Sequence, residues 1–337
     1  MWRVERSKVA ILGGGSWGTT TASVISRQCD AVLWARDGQI VAEINEQHTN
    51  QRYLGDAPLN PKLAATTDIG NAVEDAKAVL IAVPSSHFRE VLTSAVADLP
   101  PGIPVISLSK GLEKGSRMRM TEIIREVAPG RIPGVLTGPN LAREIVAGQA
   151  AASVLALEDY NAALALQPLL NVGLFRVYTN QDVIGCELGG VLKNIIAIAV
   201  GMGDGLGAGD NTRAALITRG LAEMSRLGAA LGGKPETFAG LAGMGDMIAT
   251  CTSPQSRNRH VGMELAKGRS IEDIIDSMHM VAEGVKSAPT VIELAREHGI
   301  ELPISEDVYR VITGESNARG VYRGLLRVTA GAESEPG

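Results

Sequence analysis

The sequence predicts an α/β protein in which an N-terminal doubly wound sheet is followed by a mainly α-helical C-terminal domain. Short apolar runs alternate with helix-compatible segments up to residue 181, which is the pattern of βαβ units in a parallel sheet. From residue 182 onwards, apolar residues recur mainly with the period of a helix. The length of 337 residues suits two domains. We therefore expect domains at residues 1–181 and 182–337, with a disordered tail over residues 330–337.

The first element is an apolar run at residues 9–12, which predicts a strand before a glycine-rich loop and a helix over residues 19–28. Three loop glycines have the G-x-G-x-x-G spacing: Gly13, Gly15 and Gly18. In dinucleotide-binding loops the first glycine permits the tight turn, the second lets a pyrophosphate approach the backbone, and the third lets helix and strand pack closely. Ordinary loops also contain such triplets. A second strand predicted at residues 31–36 completes the start of a βαβ unit, which favours a Rossmann-type dinucleotide-binding domain.

The end of the second strand bears on the choice of dinucleotide. An acidic residue there would hydrogen-bond the ribose hydroxyls of NAD, whereas an arginine accommodates the 2′-phosphate of NADP. This chain has Arg36, followed by Asp37. We expect NADPH or NADP to be preferred, while Asp37 leaves NADH or NAD possible and a merely solvated Arg36 remains the alternative.

The alternation of strands and helices continues through the first domain. Strands are predicted at residues 78–83, 104–109, 134–138, 151–157 and 175–178, and helices at residues 40–49, 85–99 and 116–128. Ligands of open α/β sheets bind at the carboxyl ends of the strands, where the sequence has Pro84, Lys110 and Gly138. Lys110 could bind a substrate oxygen or a phosphate as a mobile point charge, although an isolated lysine there would simply be exposed.

In the second domain, helices are predicted at residues 183–200, 212–231, 258–267, 271–277, 286–298 and 305–312, with a short strand near residues 278–282. The first of these helices is apolar almost all round, and Lys193 is its only charge between Leu188 and Val200. A buried lysine is costly unless an opposite charge answers it, although a lysine can also snorkel to the surface. Gly189 and Gly190 in the same helix predict the close approach of a backbone or a ligand.

Two further features of the second domain could complete a site. Asp246 could merely cap the helix that follows it, but it could also be the counter-charge of Lys193. Ser256 is placed to cap the next helix, with Arg257 directly after it. A helix start with an arginine fork suits a phosphate monoester, and the alternative is an ordinary surface arginine.

Composition excludes other classes of function. The net charge of −5 and the absence of a Lys/Arg-rich run argue against nucleic acid as a partner. The three cysteines, Cys29, Cys186 and Cys251, are far apart and have no metal-ligand spacing, so we expect no metal site and a reducing compartment, the cytoplasm. We find no signal peptide and no run of about 18 uninterrupted apolar residues, and we expect no insertion into a membrane.

These motifs together strongly resemble the bacterial-type NAD(P)-dependent glycerol-3-phosphate dehydrogenases. The matching blocks occur in the family's order. They are residues 13–19, 109–113, 138–139, 187–194, 243–246, 256–259 and 281–284. The resemblance implies a reversible reduction of dihydroxyacetone phosphate to sn-glycerol 3-phosphate, a supply of glycerol phosphate for phospholipids, and a homodimer. It also implies that Lys193 is the proton donor and acceptor. We expect Asp246 and Lys110 to be the other catalytic residues, because Asp246 would orient Lys193 and offset its burial while Lys110 would hold the substrate.

The resemblance assigns further residues to ligands. Besides the loop glycines, those implied to line the dinucleotide are Ser16, Trp17, Arg36, Lys110, Ala142, Arg257, Val281 and Glu283. Those implied to contact the substrate are Lys110, Gly138, Asn140, Lys193, Asn194, Asp246, Ser256, Arg257 and Asn258. Asn140 stands where the family often has serine or threonine, and the run Thr19-Thr20-Thr21 is more polar than usual. Two alternatives remain: a related dehydrogenase of a carboxylate-bearing hydroxy acid, and a dinucleotide sensor without catalysis.

Overall fold

The computed structural model describes residues 7–278 and 282–325. Eight strands form one sheet: β1 Lys8–Leu12, β2 Asp30–Trp34, β3 Ala64–Thr66, β4 Ala76–Ile81, β5 Pro104–Ser107, β6 Ile132–Thr137, β7 Ala151–Leu157 and β8 Phe175–Asn180. Their order across the sheet is β3-β2-β1-β4-β5-β6-β7-β8. Neighbouring strands are parallel except for β6 and β7, which are antiparallel.

The strand order reverses at β1, which pairs with β2 on one side and with β4 on the other. In a doubly wound sheet this switch point opens a crevice at the carboxyl ends of the strands. The segments that follow β1, β4, β5 and β6 all leave the sheet at that edge, because these strands are parallel. The predicted fold class is therefore confirmed, and the glycine loop lies at the switch point.

Helices cover both faces of the sheet. They are α1 Ser16–Ile25, α2 Gly38–Gln47, α3 Gln51–Leu54, α4 Ile69–Val73, α5 Phe88–Ala95, α6 Met120–Val127, α7 Ala142–Val146 and α8 Tyr160–Leu170. Alternate residues of β1 enter different cores: Val9 and Ile11 pack in one cluster, and Ala10 and Leu12 in the other. Burial on both faces explains why these strands read as continuous apolar runs.

Within its described residues, the second part of the chain contains helices and their connecting turns and no strand. Its helices are α9 Val183–Gly205, α10 Asp210–Ala230, α11 Pro235–Phe238, α12 Asp246–Thr252, α13 Arg257–Ala266, α14 Ile271–Asp276, α15 Glu283–Glu297, α16 Pro303–Ile312 and α17 Ala318–Leu325. A π-helical turn, Leu241–Gly245, precedes α12. The chain divides into two compact units, Met1–Glu113 with Met118–Val183, and Lys114–Arg117 with Ile184–Gly337.

Among the described residues, α9 is the one helix long and apolar enough to cross a membrane by length and composition. In the most apolar 18-residue window of α9, 94% of the window is buried inside the protein. A helix that is apolar all round and buried to this degree is the core helix of a domain.

Several short elements were not predicted from the sequence. The edge strand β3 has three residues and the helices α3, α4 and α7 have four or five, which is too short for a periodic signal. The longer helices α8 and α17 were also not predicted. The strand expected near residues 278–282 and the tail at residues 330–337 lie largely or wholly outside the described residues.

Candidate functional site

The glycine loop has the geometry that its spacing predicts. Gly13 has a φ of +129°, and a Cβ there would lie 2.5 Å from the carbonyl oxygen of Ala82. A Cβ on Gly18 would lie 2.0 Å from the Gly13 carbonyl oxygen, so the third glycine permits the helix to pack against the loop. At Gly15 an added Cβ would meet no atom within 4 Å. The second glycine therefore faces open space, where a pyrophosphate would approach.

The helix that follows offers backbone donors to that space. Gly15 is the N-cap of α1 and supplies no side-chain cap, so the first N–H groups of the helix are available to an anion. Ser16 and Trp17 are the first two residues of α1 and are half-buried. The Trp17 ring packs edge-on against Phe175, with 6.1 Å between ring centroids.

At the end of β2, the two residues that bear on the dinucleotide have different surroundings. Arg36 is exposed. Asp37 caps α2, since its Oδ1 accepts a hydrogen bond of 2.9 Å from the Gln39 N–H. Its Oδ2 lies 3.4 Å from the Arg52 guanidinium. Helix capping and an ion pair thus account for Asp37, whereas Arg36 extends into solvent.

Two segments after neighbouring strands β5 and β6 contact each other. The Lys110 Nζ donates a hydrogen bond of 2.9 Å to the carbonyl oxygen of Gly138, which has a φ of +129°. The Asn140 Oδ1 accepts from the Ser153 hydroxyl at 2.7 Å. Its amide nitrogen is buried and has no hydrogen-bond partner among the residues that the structure describes. The structure thus brings Lys110 and Gly138 together.

In the helical unit, Lys193 is 6% exposed and Asp246 is 2% exposed. The Lys193 Nζ lies 3.0 Å from the Asp246 Oδ1. This is the counter-charge that the sequence predicted. Asp246 is the first residue of α12, and the N-cap is Gly245 with no side-chain cap, so the capping interpretation of Asp246 is wrong. The close approach predicted at Gly189 is a backbone contact, because a Cβ there would lie 2.6 Å from the Ala242 carbonyl oxygen.

Thr250 completes this centre, and the sequence analysis missed it. Lys193 Nζ donates a hydrogen bond of 2.7 Å to the Thr250 Oγ1. The Thr250 hydroxyl lies 2.7 Å from the main-chain oxygen of Asp246 and 3.2 Å from its Oδ1. Thr250 is one helical turn after Asp246, so the spacing i, i+4 could have indicated it. The ammonium is therefore held by two oxygen atoms in a buried setting.

Two asparagines connect the helices around this centre. The Asn258 amide nitrogen donates a hydrogen bond of 2.9 Å to the Asn194 Oδ1, and the Asn258 Oδ1 accepts one of 3.0 Å from the Gly284 N–H. Asn194 in turn donates 3.1 Å to the Gly190 carbonyl oxygen. All three links are buried. They fix the start of α13 and the start of α15 against α9.

The start of α13 has the predicted cap. The Ser256 hydroxyl accepts from the Arg259 N–H at 3.3 Å, which confirms Ser256 as the N-cap. Arg257 is the first helical residue and is exposed. Although the side chain reaches solvent, surrounding protein lowers the Arg257 pKa by desolvation, and the Glu283 carboxylate opposes this shift. An arginine remains charged at physiological pH, so a cation lies at this helix start.

The remaining predicted residues have the following positions. Ala142 opens α7 and Glu283 opens α15, while Val281 lies outside the described residues. Between residues 7 and 278 and from 282 to 325, no group of three His, Cys, Asp or Glu side chains could hold a metal ion.

Comparisons with known proteins agree with these features. Residues 8–163 match the model of the NAD-dependent glycerol-3-phosphate dehydrogenase N-terminus, and residues 182–323 match that of its C-terminus. The chain is 63% identical over 332 residues to glycerol-3-phosphate dehydrogenase [NAD(P)+] 2 of Sphingopyxis alaskensis, covering 98% of this chain and 100% of that protein. It is 51% identical over 332 residues to glycerol-3-phosphate dehydrogenase [NAD(P)+] of Mycobacterium avium, covering 98% and 97%.

A solved structure extends the likeness to the fold. The crystal structure of glycerol-3-phosphate dehydrogenase from Coxiella burnetii is 39% identical, with a TM-score of 0.91 over 96% of this chain and 99% of that one. Both halves of the sequence therefore match one family, in the same order and over nearly the full length. The chain belongs to the NAD-dependent glycerol-3-phosphate dehydrogenase family.

Proposed function

We propose that this protein is an NAD(P)-dependent glycerol-3-phosphate dehydrogenase, which reversibly reduces dihydroxyacetone phosphate to sn-glycerol 3-phosphate. The observation that carries the proposal is the buried Lys193–Asp246 pair, at 3.0 Å, in a chain that also has an open glycine loop. In this proposal residues 1–181 bind the dinucleotide and residues 182–337 carry the substrate chemistry.

The residues of the first unit fit a dinucleotide. Gly15 leaves open space in front of unpaired helix N–H groups, and Arg36 is exposed at the end of β2. Because Asp37 caps α2 and contacts Arg52, its carboxylate is less available for ribose hydroxyls. These contacts support a preference for NADPH over NADH. Ser16, Trp17, Lys110, Ala142 and Glu283 are proposed as further cofactor contacts, and so are Arg257 and Val281.

When bound, the reduced nicotinamide supplies the hydride. Hydride arriving at the central carbon of dihydroxyacetone phosphate leaves charge on its oxygen. A buried ammonium stabilises that oxygen and then donates a proton to it. Lys193 is the proposed donor, because it is buried and its Nζ lies within hydrogen-bond distance of Asp246 and Thr250, which hold the ammonium in place. Asp246 also offsets the cost of burying the lysine.

The start of α13 is the proposed phosphate site. Arg257 presents a planar guanidinium that can bind a phosphate through two hydrogen bonds. Ser256 and Asn258 keep this helix start in place through the cap and through the link to Asn194. Gly138, Asn140 and Lys110 are proposed as substrate contacts from the first unit.

The wider roles are proposals as well. The family resemblance supports a role in supplying glycerol phosphate for phospholipid synthesis and a homodimer, and the three widely spaced cysteines support a reducing compartment, the cytoplasm. Neither nucleic acid nor a membrane is a proposed partner.

A substrate panel tests the function by following nicotinamide absorbance. Dihydroxyacetone phosphate should turn over, whereas dihydroxyacetone and a carboxylate-bearing keto acid should be very poor substrates. Loss of the phosphate should lower kcat as well as raise KM, because remote binding energy positions the carbonyl. Arg257→Lys should lower kcat/KM at least about tenfold, since a point charge cannot replace the bidentate fork. Equal turnover of dihydroxyacetone would contradict the assignment, and cofactor binding without any turnover would favour a sensor.

A further inference from the structure

We propose that Asn50 and Thr19 are positioning residues for the cofactor's pyrophosphate. They act by holding the Gly14 carbonyl of the glycine loop, so that the N–H of Gly15 points away from Asn50 and Thr19 and is available to the pyrophosphate. The inference rests on the proposed use of a dinucleotide. It gives a role to the unusually polar start of α1, which the fold alone does not require.

The contacts converge on one oxygen atom. Asn50 is 0% exposed. Its Nδ2 donates a hydrogen bond of 3.0 Å to the Gly14 carbonyl oxygen and one of 2.9 Å to the Thr19 Oγ1. The Thr19 hydroxyl donates 3.3 Å to the same carbonyl oxygen. Because a carbonyl can only accept, the amide nitrogen of Asn50 must face Gly14. Two donors therefore fix the direction of this carbonyl group.

Fixing the Gly14 carbonyl also fixes the N–H of Gly15. The peptide that joins them is trans, and in a planar trans peptide the C=O and N–H groups point in opposite directions. Holding the carbonyl towards Asn50 and Thr19 therefore points the Gly15 N–H away from them. Gly15 is the N-cap of α1, where N–H groups have no helical partner.

The loop needs such a restraint from outside. Consecutive glycines have more conformational freedom than other residues, and ordering them on binding would cost affinity. Asn50 is suited to supply the restraint, because its own segment is well held. Glu43 Oε1 accepts 2.8 Å from the Thr49 hydroxyl and 2.7 Å from the Gln51 N–H.

The test measures NADPH affinity by isothermal titration calorimetry and compares it with steady-state kinetics. Asn50→Ala and Thr19→Val should each raise the Kd for NADPH about fivefold or more, as expected for the loss of one or two hydrogen bonds. Values of kcat at saturating NADPH should stay within about twofold of wild type, because the chemistry is unchanged. Thr19→Ser keeps the hydroxyl and should bind NADPH nearly as the wild type does.

Ser23→Ala is the matched control. Ser23 is equally buried on α1, and its Oγ accepts 2.9 Å from the Asn60 N–H without touching the glycine loop. This variant should lower Tm slightly but leave the NADPH Kd unchanged.

The outcomes separate this inference from the proposed function. A wild-type protein that binds neither NADPH nor NADH would overturn both. A wild type that binds NADPH, with a folded Thr19→Val variant of equal affinity, would overturn only the role of Thr19 and Asn50. An equal loss of affinity in Ser23→Ala would also overturn it, because general loosening would then explain the effect. If Asn50→Ala does not fold, the pair Thr19→Val and Thr19→Ser decides.

Discussion

Replacing Lys193 by methionine should lower the free energy of unfolding and kcat for different reasons, and a second substitution should separate the two effects. The Lys193 and Asp246 side chains are 7% and 2% exposed, with 3.0 Å between Nζ and Oδ1. Lys193→Met keeps the aliphatic stem but leaves the Asp246 carboxylate buried without its counter-charge. Breaking a buried pair in this way costs about 3–5 kcal/mol. The Thr250 hydroxyl, 3.2 Å from the same oxygen, offsets only part of this cost.

The double variant Lys193→Met, Asp246→Asn removes both charges. It should therefore be more stable than Lys193→Met alone, by at least about 1–2 kcal/mol, since no unpaired charge remains buried. Its kcat should nevertheless be as low as that of Lys193→Met, about 100-fold or more below wild type, because both lack the proton donor. Asp246→Asn alone keeps an ammonium that still donates to Thr250 at 2.7 Å, so its loss of kcat should be smaller.

Urea unfolding followed by circular dichroism gives the free energies, and steady-state reduction of dihydroxyacetone phosphate gives kcat at a temperature where every variant is folded. Calorimetric titration with NADPH shows whether the glycine-loop unit still binds its ligand. A Lys193→Met protein with near wild-type kcat would refute the proposed proton donor, and Lys110 would be the next candidate. A double variant less stable than the single one would refute the argument from the buried charge.

Three further predictions follow from the geometry. Gly15→Ala should keep the wild-type Tm, because the added Cβ meets no atom within 4 Å, but calorimetry should show a lower affinity for NADPH. Gly18→Ala should lower both the NADPH affinity and the Tm, since its Cβ would lie 2.0 Å from a carbonyl oxygen. Arg36→Ala should remove most of the preference for NADPH over NADH, about tenfold or more in Kd, because a 2′-phosphate loses a charged partner; equal wild-type affinities would contradict this. Burial raises the Cys251 pKa to about 12; the nearby Lys193 charge lowers this pKa, and the Asp246 charge raises it by a smaller amount than burial does. The thiol should therefore stay protonated from pH 7 to 9 and resist iodoacetamide, as mass spectrometry of the native protein would show.

The sequence predicted those parts of the fold that leave a strong pattern. Strands such as β4 are buried on both faces, and β4 therefore appears as a continuous apolar run. The edge strand β3 has three residues, none of them fully buried, and it has no such run. Pairing of Lys193 with Asp246 was predictable because burying one charge requires another.

Other parts of the site leave no pattern of their own. Thr250 is one of many threonines, and only its contact with Lys193 gives it a role. Asn50 is far from the glycine loop in sequence and reaches Gly14 only because α1 and the segment after α2 fold together. The sequence also allowed Asp246 to be a helix cap, since a carboxylate near a helix start serves either purpose until its partner is known.

The helix α9 shows how apolarity and glycine content serve the site. Close backbone contacts surround it: a Cβ on Gly201 would lie 2.0 Å from the Arg259 carbonyl oxygen, and one on Gly262 would lie 2.1 Å from that of Ile198. Glycine at these positions lets α9 and α13 cross in direct contact. The buried carboxylate of Asp204, at the end of α9, pairs with the Arg259 guanidinium at 2.6 Å. The apolar surface of α9 is therefore covered by protein, and the same contacts set the position of the proposed phosphate site relative to the helix that carries Lys193.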